Sequence, residues 1–246
     1  MPPCSSRWAF FLDIDGTLLD IAETPDAAEA GRREKALVQK LHRAAGGALA
    51  LVSGRSLEAI DELFAPLKVA AAGQHGVERR DARGRVHRGS YPRNRLQRAA
   101  ESVRDFAAAH DGLVFEDKGT SFALHYRLAP ALEAAACSVV RKAAASVGNW
   151  VEVQVGKMVI ELKPAGRDKG MAIEEFLREA PFAERTPVFL GDDLTDEDGF
   201  RVVNRAGGHS IKVGEGRTQA RWQLADPAAA RAWLEKCVSA STPAAG

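Results

Sequence analysis

Asp13-Ile14-Asp15-Gly16-Thr17-Leu18 is the stretch that decides the fold, and it follows directly on the apolar run of residues 8–12. A short apolar run that ends in a Gly-containing turn is typical of a buried β-strand. In an open parallel sheet, ligands bind beyond the carboxyl ends of the strands. Both aspartates are therefore predicted to enter a crevice, where one carboxylate can attack and the other can transfer protons. The hexapeptide alone also fits a surface turn capped by its own aspartates.

Further strand-like and helical runs alternate near both ends of the chain. They lie at residues 32–45, 48–53, 56–64, 69–72, 187–190, 197–205 and 209–213. Alternating strands and helices of this kind indicate parallel strands joined by crossover helices. The predicted fold class is therefore α/β, with a doubly wound, mostly parallel, Rossmann-like core.

The middle of the chain has a different pattern, which predicts an inserted α+β cap domain. Two alternating strands, at residues 121–128 and 150–162, flank an Ala-rich helix at residues 131–147. The second strand is broken at Gly156-Lys157, where Gly would take the positive φ of a two-residue hairpin turn. The expected division is a core of residues 1–83 and 166–246 and an insert of residues 84–165.

Strict alternation assigns the side chains of these two strands to opposite faces of a sheet. The face predicted to be apolar carries Phe122, Leu124, Tyr126, Leu128, Met158, Ile160 and Leu162. The other face displays His125, Arg127, Lys157 and Glu161. A solvated face of an antiparallel sheet would carry the same charges, so the pattern alone does not separate ligand binding from exposure to water.

A second acidic cluster, Gly191-Asp192-Asp193-Leu194-Thr195-Asp196, follows the strand at residues 187–190. Carboxylates gathered beside Asp13 would suit Mg²⁺, although acidic residues also favour the start of a helix. Ser53-Gly54-Arg55 and Asp168-Lys169-Gly170 lie at two further junctions between elements. Their hydroxyl and ammonium groups could hold phosphoryl oxygens, whereas each alone could be a helix cap or a surface lysine.

Together, these four motifs resemble the signature of the haloacid dehalogenase (HAD) superfamily of phosphatases, in the same order along the chain. The resemblance implies that Asp13 is the nucleophile, that it is phosphorylated during turnover, and that Asp15 transfers protons. It also implies a Mg²⁺ cofactor held by Asp13, the backbone carbonyl of Asp15 and Asp192, supported by Asp193 or Asp196. The groups that it implies for the phosphate are Ser53, Gly54 and Lys169.

The chain also resembles the trehalose-6-phosphate phosphatases over about residues 8–235. The matching segments are Glu116-Asp-Lys-Gly119, His125-Tyr-Arg127, Gly156-Lys157 with Glu161, Gly73-Gln-His-Gly76 and Gly191–Asp198. The resemblance implies that a phosphorylated disaccharide is the substrate and that the insert closes over Asp13. The residues expected at the sugar are Arg55, Gln74, His75, Glu116, His125, Arg127, Lys157 and Glu161.

Two other functions remain open at this stage. One is a phosphatase of the same superfamily for a different sugar phosphate, such as sucrose phosphate or mannosyl-3-phosphoglycerate. The other is a catalytically silent protein that senses a sugar phosphate or accompanies a synthase, although the intact Asp13, Asp15, Lys169 and Asp192 argue against it.

Composition narrows the class of partner. Of the 246 residues, 46% are hydrophobic, and 34 basic residues against 33 acidic ones give a net charge of +1. No global field would attract nucleic acid or a membrane surface. The short first apolar run, the lack of 18 uncharged apolar residues in a row and the cysteine usage predict a cytoplasmic protein. We expect a monomer, with transient association with a trehalose-phosphate synthase as an option. Three widely spaced cysteines, Cys4, Cys137 and Cys237, argue against a disulfide framework and a structural zinc site.

Overall fold

The computed structural model describes residues 1–21, 29–89 and 93–241. The chain forms two compact units: Met1–His87 with Asp168–Gly246, called the core unit, and Arg88–Arg167, called the inserted unit. The use of the inserted unit as a cap stays a prediction. In the described part of the chain, every helix is too short or too polar to span a membrane.

The regular elements follow one another in this order. The strands are β1 (Trp8–Leu12), β2 (Leu49–Val52), β3 (Ala70–Gly73), β4 (Glu78–Arg80), β5 (Val86–Arg88), β6 (Val114–Asp117), β7 (Phe122–His125), β8 (Val151–Gly156), β9 (Val159–Pro164), β10 (Thr186–Gly191), β11 (His209–Val213) and β12 (Trp222–Leu224). The α-helices are α1 (Arg32–Ala44), α2 (Leu57–Phe64), α3 (Arg93–Ala108), α4 (Glu133–Val147), α5 (Lys169–Phe176), α6 (Glu197–Arg205) and α7 (Pro227–Ser241).

The core unit is built around one sheet, in the order β12-β11-β10-β1-β2-β3-β4-β5. The pairs from β12 to β3 are parallel, and β4 runs antiparallel to β3. Strand β1 lies between β10 and β2, and all five of its residues are buried, as expected for a sheet covered on both faces. The predicted fold class, a mostly parallel α/β core with an α+β insert, is confirmed.

The inserted unit contains an antiparallel sheet in the order β6-β7-β9-β8. Phe122, Leu124, Ile160 and Leu162 pack with α3 and α4 in its hydrophobic core, as their alternation predicts. Helix α3 and strand β6 were not predicted. The buried face of α3 carries mostly alanines, Ala99, Ala100 and Ala107 among them, so its apolar stripe is a weak signal in the sequence.

Two predictions for the inserted sheet were wrong in detail. Strand β7 ends at His125, and Leu128 is 57% exposed instead of sharing the buried face. The hairpin turn lies one residue later than predicted, because Gly156 pairs with Val159 and the positive φ falls on Met158. Pairing across the sheet, rather than the preference of Gly for positive φ, therefore sets the register of the turn.

The expectation for the cysteines also needs correction. Cys4 and Cys237 form a disulfide that joins the segment before β1 to helix α7, across a sequence separation of 233 residues. Cys137 is a free thiol in α4. Widely spaced cysteines indicate nothing about pairing when the two ends of a chain pack together, so the spacing was not informative here.

Candidate active site

The site in the core unit lies where three neighbouring parallel strands end. Strands β1 and β10 pair from Trp8–Thr186 to Leu12–Leu190, so Asp13 and Asp192 leave adjacent strands at the same edge of the sheet. Strand β2 pairs with the other side of β1 and delivers Ser53 to that edge. Parallel pairing thus brings together three motifs that are far apart in the sequence.

Asp13 is almost fully buried and lies beside a lysine from a distant helix. The Lys169 ammonium donates to Asp13 Oδ1 at 2.9 Å and to Asp196 Oδ1 at 2.7 Å. Lys169 is the first residue of α5, whose start is fixed by the Asp168 carboxylate, which accepts a hydrogen bond from the Met171 amide. The helix start therefore aims the ammonium at the pair of carboxylates.

Burial and neighbouring charges have opposite effects on the pKa values of Asp13 and Lys169. Burial raises the pKa of Asp13 well above its usual value, although Lys169 acts in the other direction. Burial alone would lower the pKa of Lys169, but Asp13 and Asp196 outweigh it and raise that pKa. The two carboxylates therefore favour the charged form of Lys169, whereas burial disfavours the ionised form of Asp13.

Three carboxylates form a compact cluster. Asp13, Asp192 and Asp196 each offer an oxygen, and these oxygens all lie within 4.8 Å of one another. Burial, and then the charge of Asp196, raise the pKa of Asp192 to about 6. Gly16, at φ +79°, makes the cluster possible, because a Cβ there would lie 2.2 Å from the Asp192 carboxylate.

The cluster has the chemistry of a site for a hard divalent cation. Mg²⁺ prefers oxygen ligands and commonly takes one or two carboxylates together with water and phosphate oxygens. Lys169 donates to Asp13 and Asp196, so one ammonium lies among three acidic side chains. Asp13, Asp192 and Asp196 therefore fit a divalent cation.

Asp193 and Asp196 have different positions. Asp196 is fully buried, and its Oδ2 accepts hydrogen bonds from the amides of Asp192 and Asp193 at 2.9 Å each. The Asp193 carboxylate accepts from the Leu194 amide and caps the short 3₁₀ turn Leu194–Asp196. Asp196 thus belongs to the acidic cluster and holds its loop, whereas Asp193 begins the next turn.

Arg55 pairs with Asp15 in the core unit. The guanidinium donates through Nε and Nη2 to both oxygens of Asp15, at 2.7 Å each. Ser53, which is buried, accepts from the Arg55 amide at 3.1 Å. The sequence analysis predicted that Arg55 contacts the sugar. Its two hydrogen bonds to Asp15 mean that Arg55 also acts on the residue that is expected to transfer protons.

Gln74 and His75 support the segment that carries Ser53 and Arg55. Both are buried and both have positive φ, 49° and 55°. The Gln74 amide donates to the Arg55 carbonyl at 2.8 Å, and the His75 amide donates to the Ser53 carbonyl at 3.0 Å. Left-handed residues of this kind cost energy and tend to occur at functional sites. Their contact with a sugar stays a prediction.

Glu78 belongs to the same support and was missed by the sequence analysis. Its buried carboxylate accepts from the Leu57 amide at 2.7 Å, at the start of α2, and from the Gln74 side chain at 3.3 Å. An isolated Glu on a short strand gives no signal of this role in the sequence.

The polar side chains of the inserted unit form a network on its sheet. His125 contacts Glu116 at 2.9 Å, and Glu161 accepts from Lys118 at 3.1 Å and from Ser121 at 2.8 Å. Strand pairing places Glu116, Ala123, Glu161 and Gln154 in one row across four strands. The predicted residues Glu116, His125 and Glu161 are therefore brought together, and Lys118 and Ser121 join them.

Charge balance within this network differs between its members. Burial alone would raise the pKa of Glu116, but the hydrogen bond from His125 and the charge of Lys118 outweigh it and lower that pKa. Glu116 is therefore a carboxylate at neutral pH.

Arg127 and Lys157 lie apart, at the end of the sheet, where Arg127 donates to the Lys157 carbonyl at 3.4 Å.

Comparison with known proteins gives a consistent result. The profile of the Trehalose-phosphatase family matches residues 11–228. A trehalose-6-phosphate phosphatase of Escherichia coli K12 is 44% identical over 239 residues, covering 97% of this chain and 90% of that protein. A probable trehalose-phosphate phosphatase of Sinorhizobium fredii NGR234 is 47% identical over 208 residues, covering 85% and 78%.

Solved structures agree with the sequence relatives. The crystal structure of a trehalose-6-phosphate phosphatase related protein superposes with a TM-score of 0.81 at 30% identity. The match covers 94% of this chain and 97% of that one, so it includes both the core unit and the inserted unit.

Proposed function

The chain belongs to the trehalose-phosphatase family and is a phosphatase, and from that premise we propose that it hydrolyses trehalose 6-phosphate to trehalose and inorganic phosphate. The observation that carries the proposal is the buried group of Asp13, Lys169, Asp192 and Asp196 at the carboxyl edge of the sheet. This group combines the proposed nucleophile, the ammonium of Lys169 and a set of oxygen ligands within one small volume.

In the first chemical step, a carboxylate oxygen of Asp13 forms a bond to phosphorus while the bond from phosphorus to the sugar oxygen breaks. Asp15 gives a proton to that sugar oxygen, and trehalose leaves. In the second step, Asp15 takes a proton from a water molecule, the water oxygen bonds to phosphorus, and the bond to Asp13 breaks to release phosphate. Covalent catalysis divides one difficult displacement into two easier ones.

Other residues of the core unit bind the phosphate, orient Asp15 and would hold the metal ion during both steps. Lys169 and the Ser53 hydroxyl, with the Gly54 amide, bind phosphoryl oxygens that do not react. Arg55 fixes the orientation of the Asp15 carboxylate through two hydrogen bonds. Asp13, the Asp15 carbonyl, Asp192 and Asp196 would hold Mg²⁺, which supplies positive charge where an anionic nucleophile meets an anionic phosphate.

The inserted unit supplies groups suited to sugar hydroxyls. Carboxylates accept hydrogen bonds from hydroxyls, whereas Lys and Arg donate to them. Glu116, His125 and Glu161 are held in one network, and Arg127 and Lys157 lie at the end of the same sheet. A surface of such groups disfavours a substrate that would leave them unpaired, which supports selection of a disaccharide phosphate.

The test is phosphate release from a panel of substrates by the purified protein with Mg²⁺. The panel contains trehalose 6-phosphate, sucrose 6-phosphate, mannosyl-3-phosphoglycerate, glucose 6-phosphate and 4-nitrophenyl phosphate. We expect kcat/KM to be highest for trehalose 6-phosphate, by at least about 100-fold over the other sugar phosphates. A higher value for another sugar phosphate would replace the substrate, and tight binding with no release would identify a silent sensor. Association with a synthase stays a separate prediction.

A further inference from the structure

Lys212 is a buried ammonium next to the acidic cluster to which the proposed mechanism gives no role. It lies on β11 and pairs in register with Gly191, the residue before Asp192. Its side chain is almost completely buried, at 6% exposure. Its strand therefore ends at the same edge of the sheet as β1 and β10.

Among the described residues, the ammonium has one hydrogen-bond acceptor, the backbone carbonyl of Asp192. Across the residues that the structure describes, no carboxylate forms an ion pair with Lys212. Removing a charged group from water without an ion pair is unfavourable. An apolar side chain would fill this place on the strand without that cost.

The peptide groups on both sides of Asp192 are held by different residues. Its amide donates to Asp196 Oδ2 at 2.9 Å, and its carbonyl accepts from Lys212. Fixing both peptide groups fixes the direction of the Cα–Cβ bond, from which the carboxylate extends. The close approach of that carboxylate to Gly16 leaves little room for it to turn.

We propose that Lys212 is a positioning residue for the divalent cation: by holding the Asp192 carbonyl, it keeps the Asp192 carboxylate directed at Asp13. The inference rests on the proposed function in that this cation is the one the phosphatase uses. Groups that orient metal ligands typically change metal affinity by about 10- to 100-fold when they are removed.

A positioning role of Lys212 and a purely electrostatic effect of its charge predict opposite changes in cation affinity when Lys212 is removed. An ammonium close to a cation repels it, so if charge were the only effect, loss of Lys212 would tighten cation binding. If Lys212 orients Asp192, its loss weakens cation binding, because the carboxylate can then turn away from Asp13. The sign of the change in affinity therefore decides between the two.

The experiment compares Mn²⁺ binding to the full-length wild type, Lys212→Met and Lys212→Arg, with the free ion measured by its electron paramagnetic resonance signal. We expect Lys212→Met to weaken binding by about 10- to 100-fold and Lys212→Arg, which keeps an N–H donor, to recover most of the loss. In the phosphatase assay, saturating Mg²⁺ should restore most of kcat in Lys212→Met.

Lys163→Met is the matched control. Lys163 is also a buried lysine on a strand that donates to a backbone carbonyl, that of Arg167 at 3.2 Å, but it lies in the inserted unit. This variant should bind Mn²⁺ like the wild type. If Lys212→Met does not fold, Lys212→Ala, which also removes the N–H donor, is measured against the same criterion.

Unchanged or tighter Mn²⁺ binding by folded Lys212→Met, or by Lys212→Ala in its place, would overturn the inference. The same measurement separates this failure from that of the proposed function. A wild type that binds Mn²⁺ but releases no phosphate from trehalose 6-phosphate would refute the proposed function while leaving the role of Lys212 measurable.

Discussion

The carboxylate of Asp13 lies in a place where two other carboxylates and one ammonium converge. A buried charge is retained only where other charges or hydrogen bonds offset the loss of water. Lys169 offsets part of the negative charge of the three carboxylates. At the scale of single residues, the cluster therefore fits the proposed divalent cation.

Asp13→Asn should reduce phosphate release from trehalose 6-phosphate by at least about 1000-fold, because an amide cannot act as the anionic nucleophile. Asp193→Asn is the control at the same edge of the sheet. Since Asn caps a turn about as well as Asp, that variant should keep activity within about twofold of the wild type. Comparable losses in both variants, measured as kcat/KM, would place Asp193 in the metal site.

Asp192→Asn should stabilise the metal-free protein at neutral pH. The pKa of Asp192 is raised to about 6 in the folded state, so between its unfolded value of 3.8 and about 6 the folded state binds more protons than the unfolded state. The free energy of unfolding of the wild type in chelator must therefore fall as pH rises through that range. The variant does not lose this stability, because Asn has no carboxyl group to titrate.

Urea unfolding in chelator measures the effect. At about pH 7 the variant should be more stable than the wild type by about 1 to 3 kcal/mol, and the difference should vanish below about pH 4. Added Mg²⁺ should then stabilise the wild type more than the variant. A variant that is less stable than the metal-free wild type at neutral pH would show that the Asp192 charge is already compensated.

Among the secondary-structure elements, the sheet of the inserted unit shows how register creates a polar surface. Each pairing step places Glu116, Ala123, Glu161 and Gln154 side by side, although they come from four different strands. The Lys118 ammonium lies near both carboxylates, 3.8 Å from Glu116 and 3.1 Å from Glu161. Ser121 and Lys118 hold Glu161 in a fixed position, so the row presents oriented acceptors instead of mobile charges.

Glu161→Ala should lower kcat/KM for trehalose 6-phosphate by about 10- to 100-fold, the loss of a hydrogen bond to a charged group. Hydrolysis of 4-nitrophenyl phosphate, which has no sugar, should change by less than about threefold. Glu152→Ala is the control, because Glu152 lies on β8 and pairs with Lys163 at 3.2 Å. It should leave both substrates unaffected, and equal losses on both substrates in Glu161→Ala would indicate a role in folding.

For the whole molecule, the disulfide between Cys4 and Cys237 joins the two ends of the core unit. Cys4 precedes β1, whereas Asp13 follows the opposite end of that strand. Closing so long a loop restricts the unfolded chain, which raises the free energy of unfolding without changing the site.

Cys4→Ser should therefore lower the free energy of unfolding by about 2 to 4 kcal/mol under non-reducing conditions. Cys137→Ser is the control, because that thiol is free, and it should change stability by less than about 0.5 kcal/mol. Phosphate release at room temperature should be the same in both variants. A melting temperature of the wild type that does not respond to a thiol reductant would show that the two cysteines do not pair in solution.

Several features of the fold could be predicted because their causes are local. Periodicity placed α6 and β11 at the residues where the structure has them, since one buried face repeats at a fixed interval. In the inserted unit the same reasoning extended β7 too far. Alternation shows which residues can share a face, but the partner strand determines where pairing stops.

The sequence by itself determined the parallel core, the inserted unit and the meeting of Asp13 with Asp192, whereas the place of Lys169 followed only from the resemblance to the HAD superfamily. Polar motifs that directly follow buried strands must meet at one edge of a parallel sheet, so their positions in the chain suffice. Only the tertiary structure decided that Arg55 contacts Asp15, that Lys212 holds the Asp192 carbonyl and that Cys4 pairs with Cys237. These partners are separated by 40, 20 and 233 residues, and they meet because packing of whole elements brings distant side chains together, which no local pattern records.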